Sequence, residues 1–431
     1  GFLVVYSHFL YTCPGKAPTT DQWGEIQNPA FCHIAELPID NALPFIYAQN
    51  VLTNHARSLV IDWSIADRPP LQIGASLPIV DIAHSSNQFT KYAYYYVFVI
   101  FLQLTWIAAA WGVLNTLLKQ RWKVWALLIG FGTTGFFYIN SVFVWPKLLS
   151  ASLAVFAVFL ILDLNKRRKR LFDYRYVIMA SLALALGLLS HTGIVFTAVG
   201  LVPIVVYDLI IHGTFRTLKL KPLLIAFAVA LLLLVPWQVT KDHLTKHDRL
   251  IKWQLAGVIS ANDNRGTLQT IKDQYKKLTF KEWANDKWTN THALFINYAK
   301  TRCGFGISTM FNKCNMASWR LLTFFSTFWA FEFFIFGFLI LVWQLVKRSL
   351  DKFDVIVLWT AFLSLAFWIL VMYVPGSTVL HQGSYATEML LFILLGRKLA
   401  GLPRYAFAPL IALQVLLFYM VWLRPFGIHI I

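Results

Sequence analysis

Long apolar runs, most of them separated by a short polar or basic turn, fill this chain from residue 94 to 237 and again from 321 to 422. No other feature limits the fold as strongly. About 20 apolar residues match the hydrocarbon core of a bilayer, where every backbone N–H and C=O must find its partner inside the protein. The runs are continuous rather than alternating, so they read as helices and not as strands of an outer-membrane barrel. Of the 431 residues, 58% are hydrophobic, more than a soluble chain of this length would bury. The expected fold is an all-α polytopic membrane protein.

Charge orders the runs. Spans are expected at 94–118, 124–141, 147–162, 176–189, 194–211, 223–237, 321–346, 355–374, 385–395 and 406–422. Lys119, Arg121 and Lys123 fall between two of them. So do the six residues 165–170 (Asn-Lys-Arg-Arg-Lys-Arg), then Arg216, Lys219 and Lys221, then Lys347 and Arg348, and last Arg397, Lys398 and Arg404. All of these short basic loops land on one side, as the positive-inside rule requires. Residues 1–11 read as the end of a first transmembrane helix, with a signal-peptide remnant as the alternative. That gives about eleven crossings. The formal net charge of +18 is thereby placed at a membrane face and gives no reason to invoke nucleic acid.

Two long external loops remain, 12–90 and 239–318. They flank a bundle at 91–238 and precede C-terminal helices at 319–431. The first loop has seven acids against three bases; the second has thirteen bases against six acids. Opposite signs at one membrane surface can hold two loops together, and suit a site that ionises a hydroxyl and holds a phosphate. The four cysteines lie in these loops, two in each. They suggest disulfides Cys13–Cys32 and Cys303–Cys314 in an oxidising compartment, with four free thiols as the alternative. Glu332 is an acid inside an expected span, which marks a cavity or a misplaced boundary.

The stretch 38–74 concentrates the chemistry. Asp40 precedes Leu43, Ile46, Tyr47, Val51 and Leu52, spaced as a helix lying on the membrane surface. Asp40 reads as an N-cap, as a general base near an apolar surface, or as both. Asp21, Glu25 and Asp67 are alternative bases. Asp67-Arg68-Pro69-Pro70 is a turn whose prolines fix the backbone and keep the preceding residue out of a helix. The planar fork of Arg68 suits a phosphate, while a loop salt bridge with Asp67 is the structural alternative. Arg249, Lys252, Lys276 and Lys277 of the second loop are further candidates for phosphate, against a plain solvated basic face. Lys147 follows Trp145-Pro146, and reaches a phosphate or snorkels. His381 lies in a short external loop at 375–384 and Tyr385 follows it; both are candidates to bind phosphate or sugar, against a satisfied turn His, and His191 sits in a tight external turn.

An early external Asp, a surface helix and a basic-Pro-Pro-Leu turn resemble the first external loop of the GT-C glycosyltransferases. The likeness is to the lipid A aminoarabinose transferases and protein O-mannosyltransferases, and more loosely to arabinofuranosyltransferases. In this resemblance Asp40 matches the family's catalytic Asp, and Arg68-Pro69-Pro70 matches its basic-or-His-Pro-Pro turn. The long fourth external loop of the family matches 239–318. Motif content is confined to 38–74, and Asn41 stands where many members carry a second acid. The resemblance implies an inverting transfer of sugar from a polyprenyl-phosphate carrier to an acceptor hydroxyl on the outer face of a bacterial inner membrane. A lipid-linked sugar donor is then the partner, and the acceptor is a glycan, lipid or protein. No cofactor is implied; a divalent metal is optional in such enzymes and is not expected beside Asn41.

Two other readings compete. A transporter or flippase for a lipid-linked sugar would place charges at mid-membrane on broken helices, whereas this sequence keeps most of them at helix ends. A membrane acyltransferase would need a His-type base near the membrane, and none stands out. No Walker loop, no GxGxxG after a strand, no HExxH and no GxSxG motif is present.

Overall fold

The computed structural model describes residues 19–20, 26–27, 43–56, 64–83, 88–142, 144–166, 174–211, 220–244, 249–258, 263, 265–295, 334–373 and 385–420. Asp21, Glu25, Asp40, the four cysteines, Glu332 and His381 lie outside them. The described chain is helical apart from a two-stranded antiparallel pair, β1 (Thr19–Thr20) with β2 (Ile26–Gln27), in register Thr19 to Gln27.

Three helices are long and apolar enough to cross a membrane: Thr90–Leu117, Leu224–Leu244 and Lys352–Val371. A fourth span arises if the pair Arg121–Gly132 and Gly135–Val142, bent by 68°, counts as one. These counts concern the described residues. In chain order the helices are α1 (Leu43–Leu52), α2 (Leu71–Ile82), α3 (Gln88–Gln103), α4 (Thr105–Leu117), α5 (Arg121–Gly132), α6 (Gly135–Val142), α7 (Lys147–Lys166), α8 (Tyr174–Ser190) and α9 (Ile194–Ile211). There follow α10 (Leu220–Leu244), α11 (Arg249–Ala256), α12 (Thr267–Tyr275), α13 (Phe280–Phe295), α14 (Phe334–Val346), α15 (Lys352–Val371), α16 (Tyr385–Ala400) and α17 (Arg404–Phe418).

The centre of the bundle is α7 with α16. Helix α7 packs on α4 and α8, and α16 packs on α14, α15 and α7. Phe131, Phe136, Phe137 and Phe392 interlock there, with ring centroids 4.9 to 6.3 Å apart. Two glycines permit close helix crossings. A Cβ on Gly200 of α9 would meet the Thr360 carbonyl of α15 at 2.4 Å, and one on Gly337 of α14 would meet the Leu395 carbonyl of α16 at 2.6 Å. Helix α10 is different: it packs along α8, and its outward face, with Leu224, Phe227 and Leu232, stays exposed.

The expected inner end is pinned by charge. Arg397 donates to Asp351 at 2.9 Å and to Asp354 at 3.1 Å, and Lys398 pairs with Asp354. Asp354 is fully buried and is also the N3 partner of the Asp351 capping box that starts α15. Lys123 donates to the carbonyls of Ala400 at 2.6 Å and Leu402 at 2.9 Å, closing the end of α16. Asp354→Ala would leave the buried Lys398 ammonium without its partner. A loss of about 3–5 kcal/mol is expected, read as a lower thermal midpoint in detergent and failure of the purified protein to stay monodisperse.

Both long loops carry helices: α1 and α2 in the first, α11 to α13 in the second. Helix α1 buries Leu43, Phe45, Tyr47 and Ala48 against α2 and α3. Helix α2 is largely apolar. One span boundary is corrected: α10 does not stop at 237 but runs through Pro236 to Leu244. Pro236 is tolerated because its missing N–H costs one bond in a long helix.

Candidate functional site

One cleft gathers segments that are far apart in sequence. Leu43 and Pro44 of α1, the turn Asp67-Arg68-Pro69, Gln72 and Ile73 of α2, Trp145 and Pro146, His191 and Thr192, and Leu250 of α11 line it. Its cavity volume is about 20 Å³, room for a single water. Each of these segments belongs to a stretch that the charge pattern assigned to the external face. The first and second long loops therefore meet at one end of the bundle, with Leu250 lining the same cleft as the Arg68 turn.

The Arg68 turn is built locally. Ser64 caps a single 3-10 turn (Ile65–Asp67): its hydroxyl accepts from Ala66 N at 3.2 Å, and Asp67 Oδ2 accepts from Ser64 N at 2.8 Å. The Asp67 carboxylate thus has a capping role, as well as a place in the cleft wall. Arg68 is extended (φ −121°, ψ 132°), as Pro69 demands, and Pro70 returns to helical angles to start α2.

Arg68 lies on Trp145, its Cζ 4.8 Å from the ring centroid. Lys147 Nζ is 5.6 Å from the same ring and 5.4 Å from the ring of Tyr385. Both distances suit cation–π attraction. A stacked guanidinium spends its face and keeps its in-plane N–H edges for an anion. Two cationic heads therefore converge on one indole at the cleft.

A buried amide ladder fixes that indole. Leu149 N donates to Gln103 Oε1 at 2.9 Å, and Gln103 Nε2 donates to Gln72 Oε1 at 3.2 Å. Gln72 Nε2 donates to Val144 O at 2.7 Å and to the Tyr95 hydroxyl at 3.1 Å. The ladder ties α2 and α3 to the segment that carries Trp145. Gln72→Ala removes one rung and strands Val144 O, Tyr95 and Gln103. A destabilisation of about 1–3 kcal/mol is expected, visible as a lower thermal midpoint.

The α8–α9 turn is held against the same segment. Ser190 Oγ donates to Pro146 O at 2.9 Å, and Ser150 Oγ donates to Gly187 O at 2.9 Å and His191 O at 3.1 Å. His191 is buried, and its Nδ1 accepts from Gly193 N at 3.0 Å. The proton of the neutral imidazole is then on Nε2. From this turn a second, wholly apolar groove descends between α8 and α9, lined by Leu184, Leu188, Ile194, Val195, Ala198, Val199 and Pro203.

The remaining candidates divide. Lys252 is buried, with its Nζ donating to Asp263 O at 3.0 Å and to the Arg265 carbonyl. It pins the loop between α11 and α12. Asp263 also takes the Nε of Arg265 at 2.8 Å, and that hydrogen bond holds its carboxyl well below the usual range although partial burial opposes it. Lys276 and Lys277 are exposed at the end of α12 and do not line the cleft. Arg249 begins α11, one residue before Leu250. Tyr385 is buried at the start of α16 beside Phe136 and Lys147. Sequence reasoning gave no weight to Trp145, Gln72 or the buried Glu388 of α16. A Gln in an apolar helix was the available signal for Gln103. Among the described residues, no group of three His, Cys, Asp or Glu side chains is placed to hold a metal ion.

No family model and no curated protein matches this chain. Among solved structures it is similar to the crystal structure of ArnT from Cupriavidus metallidurans bound to undecaprenyl phosphate, at 11% identity and a TM-score of 0.48, covering 95% of this chain and 60% of that one. The chain thus spans about 60% of the length of that protein.

Proposed function

We propose that this protein is an integral-membrane glycosyltransferase of GT-C type that moves a sugar from a polyprenyl-phosphate carrier to an acceptor hydroxyl. One observation carries the reading. The cleft in which Arg68 and Trp145 stack reaches His191 and Thr192, and the apolar groove between α8 and α9 begins at Ile194, two residues further along the chain. A donor with an anionic phosphate at its head and a hydrocarbon tail needs that pairing. Burial of the tail draws on the hydrophobic effect, and the phosphate draws on Arg68 and Lys147.

In this reading Asp40, close before Leu43 of the cleft wall, takes the proton of the acceptor hydroxyl. The oxygen forms its bond to the anomeric carbon on the face opposite the phosphate. The carbon–oxygen bond to the phosphate breaks, its electron pair leaves with the polyprenyl phosphate, and the configuration inverts. Arg68 and Lys147 stabilise the charge that builds on the leaving phosphate. Asp21, Glu25 and Asp67 remain the alternative bases, and His381, Arg249 and Tyr385 the secondary phosphate and sugar contacts. Placement on the outer face of a bacterial inner membrane, with disulfides in the external loops, belongs to the same proposal.

The test is incubation of the purified protein in proteoliposomes with a radiolabelled polyprenyl-phosphate sugar and a panel of acceptor lipids and glycans. Release of polyprenyl phosphate with label on an acceptor supports the proposal. Movement of intact donor between leaflets without cleavage would assign the cleft to transport instead.

A further inference from the structure

The second loop ends in two helices, α12 and α13, that carry an outward face the cleft does not use. Helix α13 is hooked to the end of the span α15. Asn290 Nδ2 donates to Ile369 O at 3.2 Å and to Met372 O at 2.6 Å, and Lys287 Nζ donates to Met372 O at 2.7 Å. Gln274 of α12 donates to the Tyr373 hydroxyl at 2.7 Å, and Tyr373 N donates to Gln254 O of α11 at 2.9 Å. These bonds satisfy carbonyls at the point where a 20-residue apolar helix runs out. The middle of α13 therefore sits at the level where the chain leaves the hydrocarbon.

At that level Trp288, between the two hooking residues in sequence, is 68% exposed. Phe280, two turns earlier, is 81% exposed and stacks on Trp283 with centroids 5.9 Å apart; Leu268 of α12 is 83% exposed. Large apolar side chains this exposed are costly in water on an extramembrane helix. Lysines stand among them: Lys272, Lys276, Lys277 and Lys281 are exposed, and none has an ion-pair partner among the described residues. By contrast Arg265 is committed to Asp263 and Asp273, and Lys287 to Asp286. Aromatic and aliphatic side chains interleaved with lysine stems are the chemistry of an interfacial helix.

We propose that α12 and α13 lie along the bilayer surface on the cleft side, with Leu268, Phe280 and Trp288 in the headgroup region and the four lysines on anionic lipid phosphates. The occupant of this face is the membrane that the bundle already spans. Tryptophan favours that boundary because one edge of its ring is polar and the rest is apolar. The inference does not depend on the transferase reading.

The test places an environment-sensitive fluorescent amino acid at 280 or at 288 of the full chain in nanodiscs. A blue-shifted emission at both positions, with loss of emission when headgroup-labelled nitroxide lipid is included, supports the proposal. The shift at 280 should be larger in phosphatidylglycerol than in phosphatidylcholine. High salt should shrink that difference by screening, and so should the exposed, fold-neutral combination K272Q/K276Q/K277Q/K281Q. Water-like emission at 280 and 288, unaffected by nitroxide lipid, overturns the proposal and leaves the face to an aqueous protein or glycan partner. A shift at 288 alone overturns the surface-parallel arrangement. Equal shifts in the two lipids overturn the role of the lysines.

Discussion

Asp40→Asn is expected to cut sugar transfer by about 10²–10⁴-fold, the range for removal of a general base, while leaving donor binding intact. Asn keeps the shape and the capacity to cap a helix, so α1 and the cleft wall behind it should survive. The measurement is single-turnover transfer of radiolabelled sugar, beside donor affinity from displacement of a fluorescent polyprenyl phosphate. Unchanged turnover would pass the base role to Asp21, Glu25 or Asp67. Among these, Asp67 already accepts a backbone N–H in its capping box, so Asp67→Asn should also loosen the Arg68 turn.

Arg68→Ala should act on the other half of the reaction. A hydrogen bond to a charged group contributes about 1.5–3 kcal/mol, which corresponds to roughly ten- to hundredfold in affinity. Donor KM should rise by that factor, with a further fall in kcat if the guanidinium holds the leaving phosphate more tightly as it departs. Arg68→Lys should restore part of the affinity and less of the rate, because a point charge replaces the planar fork and its stacking on Trp145. Equal donor affinity in wild type and Arg68→Ala would remove Arg68 from the phosphate site.

Much of the site's frame was legible because it is local. Two prolines in a row state the backbone angles of Arg68 in advance; the Ser64–Asp67 capping box is as local, but it was not read from the sequence. The basic turns predict that the two long loops share one side, and the structure brings residues of both into one cleft. What was hidden is long-range. Nothing near Trp145 in sequence says that Arg68 stacks on it, and the Gln72–Gln103 ladder joins three helices across more than thirty residues.

Charge counting failed at Lys252 for a related reason. A lysine surrounded by other charges looks solvated, but two backbone carbonyls, invisible in composition, have taken its ammonium inside. Glu388 was overlooked because the apolar run around it dominates any windowed average, and the structure buries it one turn below Tyr385.

The sparse packing of α10 has a mechanical meaning. This helix touches the bundle along α8 and, near its end, at the Ile65–Asp67 turn, and a few residues on comes α11, whose Leu250 lines the wall of the cleft. Its register is thus set less by protein neighbours than by the thickness of the surrounding lipid. A thinner film tilts the strut and shifts that wall, so the aperture of the cleft is tuned by the solvent in which the strut floats. Micelles that fit it poorly would shut or splay the opening while the tightly pinned core around α7 and α16 stays unchanged.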